Sequence, residues 1–305
     1  MSTTRQTLSF LRKRLEEVGI EPVKKHGQNF LIDLNLLELL AERADIQPWD
    51  VVLEIGTGTG SLTGLMAPRA AHVISVEIDT RMHQLASEEL IDEPNVTLLC
   101  QDALRTKNEL DERVLAEVRK HLAVDKRRRF KLVANLPYCV ATPILSNLLL
   151  VDPIPVSMTV TIQKELADRI TADPGVKDYS SLSIWMQSHC RTELVRVLSP
   201  TVFWPRPQVD SAIIHLEFDP ELKARLDDAR AFHDFVRQLF LYRRKHLRGV
   251  LVNVFKGQLD KPAIDAILGQ LGWPTTTRAE ELSVESLIEL QRAVEKALAA
   301  TPKPE

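Results

Sequence analysis

The β-branched, apolar run Val51-Val52-Leu53-Glu54-Ile55 passes directly into Gly56-Thr57-Gly58-Thr59-Gly60 and then into the helix-like Ser61-Leu62-Thr63-Gly64-Leu65-Met66. A buried parallel strand, a glycine turn and a helix start leave few folds open. Parallel strands need crossover helices, and the glycines let the main chain turn tightly and approach a ligand. Two further apolar runs each end in an acid: His72-Val73-Ile74-Ser75-Val76 precedes Glu77-Ile78-Asp79, and Val96-Thr97-Leu98-Leu99-Cys100 precedes Gln101-Asp102-Ala103. Glu77 stands where a dinucleotide-type sheet places its ribose-binding acid. A carboxylate there could instead cap the next helix, a role that Asp79 fits better. Asp102 either accepts from an adenine amino group or serves as the N-cap of the next segment. The glycine spacing argues against a nicotinamide binder, whose third glycine comes three residues after the second, and no Gly-Lys-Ser/Thr ends the turn as a P-loop requires.

A fourth run, Phe130-Lys131-Leu132-Val133-Ala134, ends in Asn135-Leu136-Pro137-Tyr138. An amide, a fixed carbonyl and an aromatic ring then converge just past a strand end, which makes a pocket for a planar amine. Alone, the tetrapeptide reads as an ordinary strand-to-helix turn. With the glycine turn and two acids upstream, it describes a cofactor and a substrate meeting at one edge of a sheet.

In order along the chain, these segments combine with Gly27-Gln28-Asn29-Phe30-Leu31, Gln163-Lys164-Glu165, Phe203-Trp204-Pro205-Arg206-Pro207-Gln208-Val209-Asp210-Ser211-Ala212 and Arg243-Arg244-Lys245. So arranged, the chain resembles the class I methyltransferases that bind S-adenosylmethionine, and more narrowly the ribosomal RNA adenine N6-dimethyltransferase family, in its small-subunit branch. The resemblance covers nearly the whole chain. It implies an α/β, Rossmann-like domain, mostly parallel with helices on both faces, and a small C-terminal all-α domain. It also implies that Asn29 and Leu31 line the methionine and sulfonium side of S-adenosyl-L-methionine, that Gly56 and Gly58 approach it through their backbone, that Glu77 holds the ribose and that Asp102 reads the cofactor adenine. Asn135 would lie between cofactor and target. Phe203 would form the second face of a clamp opposite Tyr138, although Phe-x-Pro-x-Pro also reads as a rigid turn with its ring in the core.

The exocyclic amine of adenine is a poor nucleophile, because its lone pair is delocalised into the ring. The Asn135 side-chain oxygen and the Pro137-side main-chain carbonyl are suited to accept its hydrogens, and Tyr138 to stack on a base turned out of its helix or loop. Acceleration would come from positioning and fixed dipoles, with no side-chain general base.

The 305 residues can bury a sizeable core, and no apolar stretch approaches a membrane span. Arg5, Arg12, Lys13 and Arg14 suggest a transit peptide, but Glu16, Glu17 and Glu21 argue against one, so the cytoplasm is the expected place. Cys100, Cys139 and Cys190 are expected as buried thiols, the histidines show no paired metal spacing, and a monomer is expected.

A net charge of -3 is an objection to a nucleic-acid partner. Distribution partly answers it. Arg119, Lys120, Lys126, Arg127, Arg128, Arg129 and Lys131 surround the single acid Asp125, a block that reads as a solvated face. Arg237, Arg243, Arg244, Lys245 and Arg248 have no acid among them. The last four match a family motif and are expected to touch the RNA backbone. Arg12, Lys13, Arg14, Lys24 and Lys25 would add a third patch.

Residues 1–30 read as a basic helix, Leu8–Leu15, and a cofactor-entrance segment; 31–220 as the methyltransferase domain, with the last two strand runs forming an antiparallel edge; and 221–305 as a helical rRNA-docking module. The implied reaction is N6,N6-dimethylation of two adjacent adenosines near the 3′ end of 16S RNA in the small ribosomal subunit. Rival readings are a large-subunit adenine methyltransferase, a ribosome-assembly factor with dispensable catalysis and a small-molecule methyltransferase. Cys139-Val140-Ala141 after Tyr138, Ser180 after Tyr179 and His246-Leu247-Arg248-Gly249 depart from the family pattern and bear on substrate detail.

Overall fold

The apolar runs pair into one seven-stranded sheet: β1 (Asp50–Ile55), β2 (His72–Glu77), β3 (Val96–Cys100), β4 (Arg129–Asn135), β5 (Ser157–Gln163), β6 (Cys190–Leu198) and β7 (Ser211–Phe218), in the spatial order β3-β2-β1-β4-β5-β7-β6. The computed structural model describes residues 29–300. Strands β3, β2, β1, β4 and β5 run parallel, and β7 enters antiparallel to β5. Every residue of β1 and β2 is buried, as central parallel strands covered on both faces require. Helix α1 (Leu34–Arg43) precedes the sheet, and the crossovers are α2 (Ser61–Met66), α3 (Thr80–Glu89), α4 (Glu112–Leu122) and α5 (Tyr138–Leu148). Asp33, Asp79 and Asp111 cap α1, α3 and α4 by accepting from main-chain N–H groups of the first turn, so Asp79 takes the capping role its position suggested.

Much of the first basic block is consumed in this architecture. The Lys131 ammonium lies buried 2.9 Å from Asp50 and donates to the Ala44 and Asp45 carbonyls at the end of α1, at 2.9 and 2.6 Å. Arg129 reaches the same Asp50 carboxylate at 3.1 Å, while Arg119, Lys120 and Arg127 pair with Glu112, Glu117 and Asp125, and Arg128 donates to the His121 carbonyl. The expectation of a solvated face therefore needs one change: Lys131 is a buried structural cation.

The chain divides into two units, the second comprising Asp168–Cys190 together with the residues from Asp219 onward. This differs from a single passage near residue 220. Tyr179 and Ile184, which precede β6 and β7 in sequence, sit fully buried in the C-terminal core with Phe232, Leu239, Leu251 and Leu287, and the Tyr179 hydroxyl donates to the Leu282 carbonyl at 2.9 Å. The helical periodicity from Phe232 to Phe255 resolves into α6 (Ala229–Phe240) and α7 (Leu247–Val254), followed by α8 (Lys261–Gln270) and α9 (Val284–Ala300). Pro262 occupies the first turn of α8, where its missing N–H costs nothing.

The thiols differ from expectation. Cys190 is buried, but Cys100 and Cys139 are exposed, Cys100 as the last residue of the edge strand β3 and Cys139 in the first turn of α5. The Leu8–Leu15 helix and the Arg12 to Lys25 patch lie outside the described residues. Among the described residues no helix is long and apolar enough to cross a membrane, and no group of three or more His, Cys, Asp or Glu could hold a metal ion.

Candidate functional site

Strand order reverses between β1 and β4, and open α/β sheets take ligands at such a switch point, beyond the carboxyl ends of the strands. β1 passes directly into Gly56, and β4 ends at Asn135. Gly56 holds φ +89° and Gly58 φ +56°, conformations that side chains disfavour. A Cβ on Gly56 would stand 3.2 Å from Pro137 Cδ and 3.6 Å from the Asn135 carbonyl, so the glycine turn and the tetrapeptide are in contact. Together they border a cleft of about 260 Å³ whose walls include Asn29, Phe30, Gly58, Glu77, Ile78, Asp102 and the stretch Asn135 to Val140.

Glu77 is buried at the end of β2. One carboxylate oxygen accepts from Gly58 N–H and the other from Asp79 N–H, both at 3.0 Å. Burial raises the Glu77 pKa despite the main-chain bonds from Asp79, Gly58 and Ile78, and the carboxylate keeps acceptor capacity for a diol. Beneath the turn, the Glu54 carboxyl accepts from the Ser75 hydroxyl at 2.6 Å and from the Thr63 hydroxyl, and Thr57 bonds Ser75 at 2.6 Å. Burial pushes Glu54 up to about 8, so it stays protonated near neutral pH and places no second negative charge behind Glu77. Asp102 is exposed on the rim and accepts from Leu104 N–H at 2.9 Å, so a local turn engages one of its oxygens.

Every residue of the tetrapeptide is held. The Asn135 Nδ2 donates to the Asn29 carbonyl at 2.9 Å, which turns its Oδ1 the other way, and Leu136 N–H donates to the Thr161 carbonyl at 3.1 Å. The Pro137 carbonyl accepts from Val140 N–H at 3.1 Å and opens α5. The carbonyl on the other side of the proline ring, that of Leu136, is thus the better-placed main-chain acceptor, which narrows the expectation for Pro137 to shaping the turn. Half-buried Tyr138 makes a 2.5 Å hydroxyl contact with Ser211, and burial raises its phenol pKa.

Two expected site residues do not reach the cleft. Phe30–Leu31 and Phe203–Trp204 form a two-residue antiparallel pair, with Leu31 opposite Phe203 and Phe30 opposite Trp204. Strand side chains alternate, so one pair faces the core and the other does not. Leu31 is 7% and Phe203 2% exposed, and both pack in the cluster with Leu37, Leu40 and Ile213. Phe30 instead lines the cleft against Gly58 and packs with Trp204 and Met82. Phe30 and Ile78, which is 50% exposed beside Glu77, are among the wall residues that sequence reasoning missed. An apolar residue directly after a strand-end acid was the available signal for Ile78.

The expected RNA-contacting block also divides. Arg243 donates to the Lys177 and Tyr179 carbonyls at 2.9 and 2.6 Å, and Arg248 grips Asp265 through two bonds, so both serve the helical unit internally. Arg244 and Lys245 are exposed beside Tyr242 and Leu241, the latter 72% exposed.

Residues 22–291 match the family model described as ribosomal RNA adenine dimethylase. The chain is 40% identical to ribosomal RNA small subunit methyltransferase A of Lactiplantibacillus plantarum, over 94% of each chain. It is 38% identical to the protein of that name from Pediococcus pentosaceus, over 93% of each. The crystal structure of a dimethyladenosine transferase from Plasmodium falciparum superposes with a TM-score of 0.73 at 24% identity, covering 87% of this chain and 97% of that one, a likeness of fold.

Proposed function

The chain belongs to the ribosomal RNA adenine dimethylase family, and from that premise we propose that it transfers methyl groups from S-adenosylmethionine to N6 of adenosine in small-subunit ribosomal RNA, two per base on two adjacent adenosines near the 3′ end. The observation that carries this reading is the contact of Gly56 with Pro137, which joins the turn after β1 and the amine-binding tetrapeptide after β4 in one cleft with Glu77 and Asp102.

The residues suit the cofactor. Glu77 offers two acceptor oxygens to a ribose diol, Ile78 and Phe30 supply apolar walls, and Asp102 offers a carboxylate to an adenine amino group. When bound, S-adenosylmethionine supplies an electrophilic methyl group on a sulfonium centre. The Asn135 Oδ1 and the Leu136 carbonyl accept the two hydrogens of the target amine, which favours pyramidal nitrogen and directs its lone pair toward the donor. Tyr138 stacks on the base. No side chain need remove a proton before methyl transfer, because the nitrogen becomes acidic once alkylated. Arg244, Lys245 and Tyr242 on the helical unit offer charge and a ring to the RNA. The cytoplasm, where small subunits assemble, is the proposed setting.

Mass mapping of small-subunit RNA from cells lacking the protein tests the substrate: a missing pair of dimethyladenosines is expected, and an unchanged pair sinks the proposal. Asn135→Ala is expected to lower methyl transfer at least about a hundredfold while leaving subunit binding nearly intact. That variant also separates the enzyme from an assembly factor, for which turnover would not matter.

A further inference from the structure

We propose that Ser211 is a positioning residue that fixes the direction of the Tyr138 ring axis by holding its hydroxyl end; this rests on the role given to Tyr138 above. The two hydroxyl oxygens lie 2.5 Å apart. Ser211 is fully buried, whereas Tyr138 opens α5 with its ring bordering the cleft.

Topology explains the meeting. Because β7 runs antiparallel to β5, its first residue, Ser211, comes opposite Gln163 at the last residue of β5, the same end of the sheet at which β4 delivers Asn135. A parallel strand in that place would have brought its final residue there instead. The adjoining main chain is pinned as well, since Lys164 N–H donates to the Asp210 carbonyl at 2.9 Å. The serine oxygen is therefore a fixed point.

A tyrosine ring anchored only at its Cα swings about χ1, whereas one anchored also at its hydroxyl keeps its long axis in one direction and turns only about that axis. Stacking needs the ring centred over the base when the amine reaches Asn135, so the tether removes a χ1 swing that substrate binding would otherwise have to freeze. Burial keeps the phenol protonated, so one proton is always available between the two oxygens.

The chain has three tyrosines, so fluorine NMR of protein carrying 3-fluorotyrosine resolves Tyr138. Ser211→Ala is expected to move and broaden that resonance and to lower kcat on small-subunit RNA about five- to tenfold, with the KM for S-adenosylmethionine unchanged. Tyr138→Phe, which deletes the same bond from the other end and carries the kinetic test if Ser211→Ala fails to fold, should lose a similar factor. The double variant should lose no more than either single one. An unmoved fluorine resonance, or a double loss equal to the product of the single losses, overturns the proposal. If the wild-type protein methylates no ribosomal RNA, the proposed function fails, and the fluorine spectrum still decides the tether.

Discussion

Glu54 is a carboxyl group whose environment favours its neutral form. Its pKa lies near 8 in the folded chain against an ordinary 4.5, because desolvation outweighs the hydroxyl bonds from Ser75 and Thr63. A group raised in this way contributes stability below its unfolded pKa and loses that contribution as pH climbs through the folded value. Between pH 4.5 and 8 the unfolded chain therefore releases a proton that the folded chain keeps, and stability declines. Glu54→Gln removes that titration. Thermal unfolding of the variant should lose less stability than wild type between about pH 5 and 8, and parallel curves for the two proteins would contradict the assignment. At this scale the sequence was partly legible. Gly56, Glu77 and Asn135 announced themselves by standing at strand ends, but nothing in Val51 to Ile55 distinguished Glu54 from a tolerated polar residue, since its partners Thr63 and Ser75 come from other elements.

The two-residue pairing of Phe30–Leu31 with Phe203–Trp204 decides which of four large side chains meet a ligand and which pack the core. Phe30→Ala should weaken S-adenosylmethionine binding about tenfold with little loss of stability. Leu31→Ala should do the reverse, costing about 2–4 kcal/mol of folding free energy through the cavity it leaves among Leu37, Leu40 and Phe203. Titration calorimetry and denaturant unfolding of the two variants separate these outcomes. The long strands were readable because five or more β-branched and apolar residues in a row carry a pattern of their own. A strand of two residues carries none. Its facing is set by a partner far along the chain, so family likeness assigned Leu31 and Phe203 to the cleft while local alternation turned them inward.

The helical unit gathers Asp168–Cys190 and the C-terminal helices around one core, a grouping invisible to a linear scan because two strands of the sheet intervene in sequence. Its positive residues do unequal work. Replacing Arg244 and Lys245 together by Ala should reduce the salt dependence of RNA binding by about 1 to 2 in the log–log slope without changing the unfolding midpoint. Arg243→Ala should instead cost about 1–3 kcal/mol of stability, because the Lys177 and Tyr179 carbonyls lose their donor. Filter binding across a salt series, beside thermal melts, checks both. A net charge of -3 is compatible with such a partner when so much of the first block is neutralised within the fold and the exposed cations stand beside an aromatic ring.

The bond from Asn135 to the Asn29 carbonyl has a chemical corollary. With its nitrogen bonded inward, the amide is held against flipping, and in the proposed role it would meet an incoming nucleobase with its oxygen. Adenine and cytosine carry amino edges that such a group receives; guanine O6 and uracil O4 would bring keto oxygen against oxygen. In the proposed role the pocket would thus sort amino from keto bases before size or stacking is consulted.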